Sequence, residues 1–250
     1  MIELFHYLKS DFYKLRHSFF FWLHILFPIC GIGLMTLYAV FSTVGSLNKW
    51  IAFFQIMAIA FPFVISIVCE TVAEQAARAG HCQNILMLSD RSKAIISKFL
   101  ILIICGFFAI MFSSLFFEQI LTMIHPDLEL YVLAFAIPAI ILWSSNILFY
   151  ALHLILAFRY GRNVCIGAGV IGSLLVALMQ TNLGTGLWYV LPYGLGVRLT
   201  DFTLKSMFLP NCMIDKEVKI GFISVIIMTG ILIAIMIIWF SLYGGRRTDD

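Results

Sequence analysis

Glu70, Glu74 and Arg78 recur at four-residue spacing, so a helix through them would carry two acids and a base on one face. With His81 close behind, that face invites comparison with a metal site, in which carboxylates and imidazole hold a divalent ion. The H-E-x-x-H spacing that brings ligands together on one helix is missing, whereas acid four residues before base is the pattern of an ion-pair ladder. No metal is expected. Nucleophilic catalysis inside a membrane needs a serine in a G-x-S turn and a histidine on a later helix, but His153 precedes Ser173, the wrong order. Residues Gly167-Ala168-Gly169-Val170-Ile171-Gly172 spell G-x-G-x-x-G within an apolar run, without a preceding strand or a following acid for a ribose. Ala168/Gly172 and Gly169/Ser173 are small-xxx-small pairs, so Gly169 and Gly172 read as contact points between membrane helices. No G-x-x-x-x-G-K-[ST] occurs anywhere, so the chain has no P-loop for ATP.

The elements that position these residues follow from composition. Of 250 residues, 62% are hydrophobic and only 12% charged, against roughly 45–50% and about 25% in a soluble domain. Sixteen Lys and Arg and thirteen Asp and Glu are too few to cover a soluble surface of this size, so the apolar excess faces lipid. The net charge of +3 comes without blocks of like charge, which excludes a basic groove for nucleic acid.

Apolar runs of about 20 residues, enough to cross a ~30 Å hydrocarbon core, predict six spans at 18–41, 51–69, 99–117, 131–156, 164–181 and 220–243. Pro62 falls inside the second, where a kink can be accommodated by neighbouring helices. An even number of spans puts both termini on one side. Eleven of the sixteen basic residues fall on that side: Lys9, Lys14, Arg16, Arg78, Arg91, Lys93, Lys98, Arg159, Arg162, Arg246 and Arg247. Lys49, Arg198, Lys205, Lys216 and Lys219 fall on the other. Both termini are therefore expected in the cytoplasm.

Residues 1–17 place Leu4, Phe5, Leu8, Phe12 and Leu15 among charged neighbours, the stripe of a helix lying in the headgroup plane. The first apolar run is too long for a cleaved signal peptide and stays as a helix. The expected fold is all-α, a single membrane domain over 1–250 with an interfacial helix (1–17), a cytoplasmic loop (71–98) and a long extracellular loop (182–219). Of the six cysteines only Cys212 is expected outside, so no internal external disulfide can form. The others read as small apolar packing residues.

Ionisable residues within the spans are few: His24 near the inner end of the first, Glu118 near the outer end of the third and His153 in the inner half of the fourth. A proton path would show a chain of such groups across the midplane. Glu118 is a candidate substrate contact or a group reaching the outer headgroups. In the long loop Trp188, Tyr189 and Tyr193 suit an outward-facing contact region or, equally, an aromatic belt with re-entrant helices, and Arg198 lies with them.

The loop between the second and third spans is the most informative stretch. It begins with helix-favouring residues, breaks at Gly80, resumes with the apolar patch Ile85, Leu86 and Leu88, and ends in Asp90-Arg91-Ser92-Lys93. A short amphipathic helix there suits docking into a groove of a soluble partner. This pattern resembles the coupling region of type-2 ABC exporter permeases, E-x-E-x-G…LL-x-x-P-x-x-R…K, at Glu70 or Glu74, Gly80, Leu86 to Leu88, Arg91 and Lys98. It departs by having Ser89 and Asp90 where the family often has Pro, and by a longer interval from Glu to Gly. Asp11-Phe12-Tyr13-Lys14-Leu15-Arg16, followed by Trp22-Leu23-His24 and Pro28, resembles more narrowly the permease subunits of lantibiotic-immunity exporters.

The resemblance implies a transport subunit in a bacterial plasma membrane, not an enzyme, which works beside a second, related permease. ATP and Mg would be bound by a partner ATPase pair, with Glu70, Glu74, Arg78, Gly80, Leu86, Leu88 and Arg91 coupling the two. The family role is self-protection, by expelling a cationic antimicrobial peptide from the membrane. A non-transporting scaffold or receptor, or an intramembrane protease, would keep the spans without needing an ATPase at the second loop.

Overall fold

The computed structural model describes residues 2–78, 82–88, 90–126, 132–208 and 216–245. It is all-helical, with no strand among the described residues, and six helices are long and apolar enough to cross a membrane. This makes the chain a multi-pass membrane protein. Those six are α2 (Phe20–Phe41), α3 (Ser46–Arg78), α5 (Arg91–Ile124), α6 (Val132–Tyr160), α7 (Arg162–Gln180) and α9 (Lys216–Ser241). Beside them stand α1 (Ile2–Arg16), the one-turn α4 (Gln83–Leu86) and α8 (Pro192–Phe208).

With 33 and 34 residues, α3 and α5 are each about 50 Å long at 1.5 Å per residue, well over a ~30 Å core. The surplus is polar and lies at the end of the bundle that carries α1, called the basic end below. Here the expected loop 71–98 is mostly helix. The run Val72-Ala73-Glu74-Gln75-Ala76-Ala77-Arg78 continues α3 because its residues favour helix in water as well as in lipid. Asp90 starts α5 as its N-cap, its carboxylate accepting from the Lys93 backbone N–H at 3.3 Å. Prolines 28, 62 and 138 lie inside α2, α3 and α6, each in a helix with neighbours to re-satisfy freed carbonyls. Between α6 and α7 a single residue turns the chain. Gly161, at φ +80°, donates its N–H to the Leu156 and Ala157 carbonyls.

Two apolar clusters fill the bundle. One, towards the basic end, joins Leu15, Phe20, Val72, Ile95, Leu154, Phe158 and Phe240. The other, towards the far end, is built on Trp50, Phe53, Phe54 and Phe117, with Phe53 stacked on Phe117 at 4.4 Å between centroids. Large apolar side chains cover the outside of α2, α7 and α9, among them Leu37, Leu174, Ile226 and Ile238, as lipid-facing surfaces require.

The stretch expected as an extracellular loop, 182–219, contains a buried helix. Leu195, Val197, Leu199 and Leu204 of α8 are enclosed by α3, α6, α7 and α9. Its first turn reaches deep into the bundle, since Tyr193 stacks on Phe149 of α6 and lies over Gly172 of α7. The glycines at 194 and 196 remove the side chains that would otherwise hold α8 away from Trp188 and Asn146.

Candidate functional site

At the basic end, α1, the end of α3, α4 and the start of α5 enclose a cleft of about 260 Å³, its surface largely apolar (Ile85, Leu88) with Asp11, Lys14, Gln75 and Lys98 at its polar parts. The Asp11 carboxylate anchors α1 in it. Lys98 Nζ donates to one carboxylate oxygen at 2.6 Å and Ser97 Oγ to the other at 2.8 Å, with Asp11 and Lys98 both buried. A buried pair of this kind stabilises only because both charges find partners; removing one leaves the other uncompensated at a cost of about 3–5 kcal/mol. In the sequence Asp11 and Lys98 stand 87 positions apart, and nothing in either local pattern signals the pairing.

Arg91 joins three elements. One guanidinium nitrogen donates to the Tyr243 carbonyl just beyond α9 at 2.6 Å, and another to the Leu86 carbonyl at the end of α4 at 3.2 Å. Tyr243 in turn donates its hydroxyl to the Phe158 carbonyl of α6 at 3.3 Å, with Cys82 Sγ at 4.0 Å. A planar fork of donors suits this bridging, since the two carbonyls belong to different elements and a single ammonium would not hold both in the same geometry. Ile85 is buried beneath α4, Leu86 and Leu88 are half-buried, and Met87 points out at 85% exposure. Beside α4, the carboxyl of Asp90 is held below its ordinary range, chiefly by its hydrogen bond with the Lys93 side chain.

The other residues expected at this site are distributed along α3. Glu70 is buried, while Glu74 and Arg78 form an exposed pair at 2.5 Å, the ladder step expected from their spacing. Gly80 and His81 lie outside the described residues. Of the residues expected to face a partner ATPase, Arg78 and Glu74 therefore lie on the surface of α3, Glu70 is buried in it, and Leu86, Leu88 and Arg91 pack around α4.

The candidate substrate-facing residues are brought together only in part. Trp188 is buried, donates Nε1–H to Glu217 at 3.0 Å and lies over Gly221 of α9, with Tyr189 edge-on to its ring. Arg198 donates to the carbonyls of Met179 and Thr181 at 2.8 and 2.6 Å, which closes the last turn of α7. These side chains, with Tyr193, hold α8 in the bundle. Glu118 lies half-buried on α5, which packs on α2 and α6. Gly169 faces Ser66 and the Pro62 carbonyl of α3, so α7 and α3 meet where a side chain would separate them.

Catalytic geometry is sparse. Neither Ser173 Oγ nor His153 Nε2 has a hydrogen-bond partner, so the two do not form a dyad. The neighbour of His153 is Cys165, whose sulfur lies 3.7 Å from Nδ1 while donating towards the carbonyls of Ser66 and His153. Among the described residues no three His, Cys, Asp or Glu side chains gather as a metal site.

At the far end the structure adds a residue that the sequence offered only as a loop charge. Lys49 is 2% exposed and donates to the Ala39 carbonyl at 2.7 Å and to His125 Nε2 at 2.9 Å. A lone lysine in the first turn of α3, followed by twenty uncharged residues, is the available signal, but it cannot show that α2 ends within reach. Gln55 of α3 likewise donates to Asp201 of α8 at 3.0 Å, with Lys205 on the same carboxylate.

No protein-family model, no curated protein and no solved structure matches the chain.

Proposed function

We propose that the chain is the membrane-spanning permease subunit of an ATP-driven exporter in a bacterial plasma membrane. It works with a partner ATPase that binds ATP and Mg and with a second permease subunit, and it expels a lantibiotic or similar antimicrobial peptide for self-protection. The observation that carries this reading is α4. It is a short element between two overlong helices, bonded through Arg91 to the end of α9 and, through Tyr243, to α6. A push on the exposed side of α4 is passed to two spans by directional bonds, which is what a transmission element between a soluble motor and a membrane bundle requires. The adjoining cleft between α1 and α3 opens at the same end, with Lys14 and Gln75 among its lining.

The test is purification of the chain from its host in mild detergent, followed by ATPase assay of the complex in vesicles. A P-loop ATPase and a second multi-span chain are expected to remain bound. Arg91→Ala is expected to keep the complex together while lowering peptide-stimulated ATP hydrolysis at least fivefold, and Arg91→Lys to restore only part of it. Recovery of the chain alone with its activity intact, or unchanged stimulation in Arg91→Ala, overturns the reading.

A further inference from the structure

Where α1 turns into α2, Phe12, Arg16, Ser18, Phe21 and Trp22 line an open groove. The corner is fixed by local bonds. Ser18 donates its hydroxyl to the Leu15 carbonyl at 2.8 Å and accepts from the Phe20 backbone N–H at 3.3 Å, while Phe12 sets its ring edge-on to Phe21 at 5.2 Å between centroids. The neighbours place this corner at the edge of the hydrocarbon. Lys98, which holds Asp11 of α1, is the last charge on α5 before the uncharged run 99–117, and no charge follows Arg16 along α2 until Lys49. Arg16 thus stands just before the first span, and Trp22, two residues after its start, roughly 3 Å inside it.

The groove holds donors that the protein leaves unused. Arg16 and Trp22 are both exposed, and neither the guanidinium nor the indole N–H has a partner among the described residues. Lys14 adds a second unpaired cation to the last turn of α1, and the carboxylate of Asp11 is taken by Lys98 and Ser97. The corner is therefore positive, with no described carboxylate left to receive a cation. A phosphate suits it, because the guanidinium fork matches two phosphate oxygens and the indole donates to a third. Below Trp22 the exposed side chains Ile25, Leu26 and Ile29 continue along the same outer face of α2, at three-, four- and seven-residue spacing. A soluble phosphate would use only the donors. A phospholipid uses both parts, its headgroup on the donors and a chain along the apolar face. An ammonium-bearing headgroup would bring its own positive charge to Arg16 and Lys14, whereas a net-anionic one does not.

We propose that the corner between α1 and α2 binds an anionic phospholipid of the leaflet at the basic end, its phosphate on Arg16 and Trp22 Nε1 and an acyl chain along Ile25, Leu26 and Ile29. The site is independent of the transport reading. To test it, the full chain in detergent at about 0.15 M salt is given equimolar phosphatidylglycerol and phosphatidylcholine of identical chains, and bound lipid is counted by native mass spectrometry. Phosphatidylglycerol is expected to exceed phosphatidylcholine about fivefold, the ratio given by the about 1 kcal/mol that one basic residue contributes at an anionic surface. Arg16→Gln keeps a hydrogen-bonding side chain without the charge and is expected to bring the two lipids to parity. Lys9→Gln removes the same charge seven residues earlier, roughly 10 Å along the helix and beyond the ~8 Å screening length, and is expected to leave the ratio unchanged. A large excess of glycerol phosphate, the headgroup without chains, is expected not to displace the lipid, and phosphatidylglycerol with a photoreactive chain is expected to label the wild-type segment 22–29. Equal binding of the two lipids, a ratio that survives Arg16→Gln or falls as far in Lys9→Gln, displacement by glycerol phosphate, or labelling outside that segment overturns the proposal.

Discussion

Both ends of the bundle have a packed apolar core, and they differ in what ties the shorter helices to it. At the basic end, a few charged side chains reach across elements, Lys98 to Asp11 and Arg91 to two carbonyls. At the far end α8 is wedged between spans by rings set against glycines, Tyr193 on Gly172 and Trp188 on Gly221, with Arg198 and Lys49 each closing a helix terminus. Close packing resists displacement in every direction, because any shift loses many small contacts at once. Directional bonds hold a position but let an element turn about them. The contrast teaches that α1 and α4 are tied to the bundle chiefly by bonds between named polar atoms, and α8 chiefly by the fit of rings to glycines.

The largest effect is expected where charge is buried. Asp11→Ala strands Lys98 and is expected to lower stability by about 3–5 kcal/mol, read as earlier thermal unfolding in detergent. Asp11→Leu with Lys98→Met is expected to recover most of that loss, since a well-packed apolar pair can replace a buried ionic one. If the double variant is no better than the single, α1 is held by something other than this pair.

At the far end, Gly172→Val drives a side chain into the Tyr193 ring and Pro62, at an expected cost of about 1–3 kcal/mol. The loss should be visible as faster proteolysis of the segment around α8. Tolerance of valine there would mean that α8 is loosely seated and the contrast between the ends is false.

The smallest effect belongs to the surface ladder. Arg78→Ala breaks an exposed pair four residues apart and is expected to change stability by less than about 0.5 kcal/mol. A larger loss would show that Arg78 has a buried role at the basic end, beyond its pairing with Glu74.

Much of the fold was legible from one dimension. Six apolar runs longer than a hydrocarbon core, a helix stripe before the first of them and acid and base at helical spacing on α3 are local patterns, and lipid leaves a spanning segment few alternatives to helix. The chain alone thus determined the helical class, the six spans and the Glu74–Arg78 ladder. It also marked Gly169 and Gly172, because small residues four apart matter only if another helix comes close. Tertiary structure decided what the long-range partners are. The pairing of Asp11 with Lys98, the capture of Arg91 by Tyr243 and the burial of Lys49 each join residues far apart in the chain. The stretch 182–219 shows the same limit: its aromatics suit an outward-facing loop and re-entrant helices equally until α3, α6, α7 and α9 stand around α8. Helix periodicity depends on neighbours along the chain, whereas burial of a charge or a re-entrant helix depends on which elements meet, and that is set by the packing of the whole bundle.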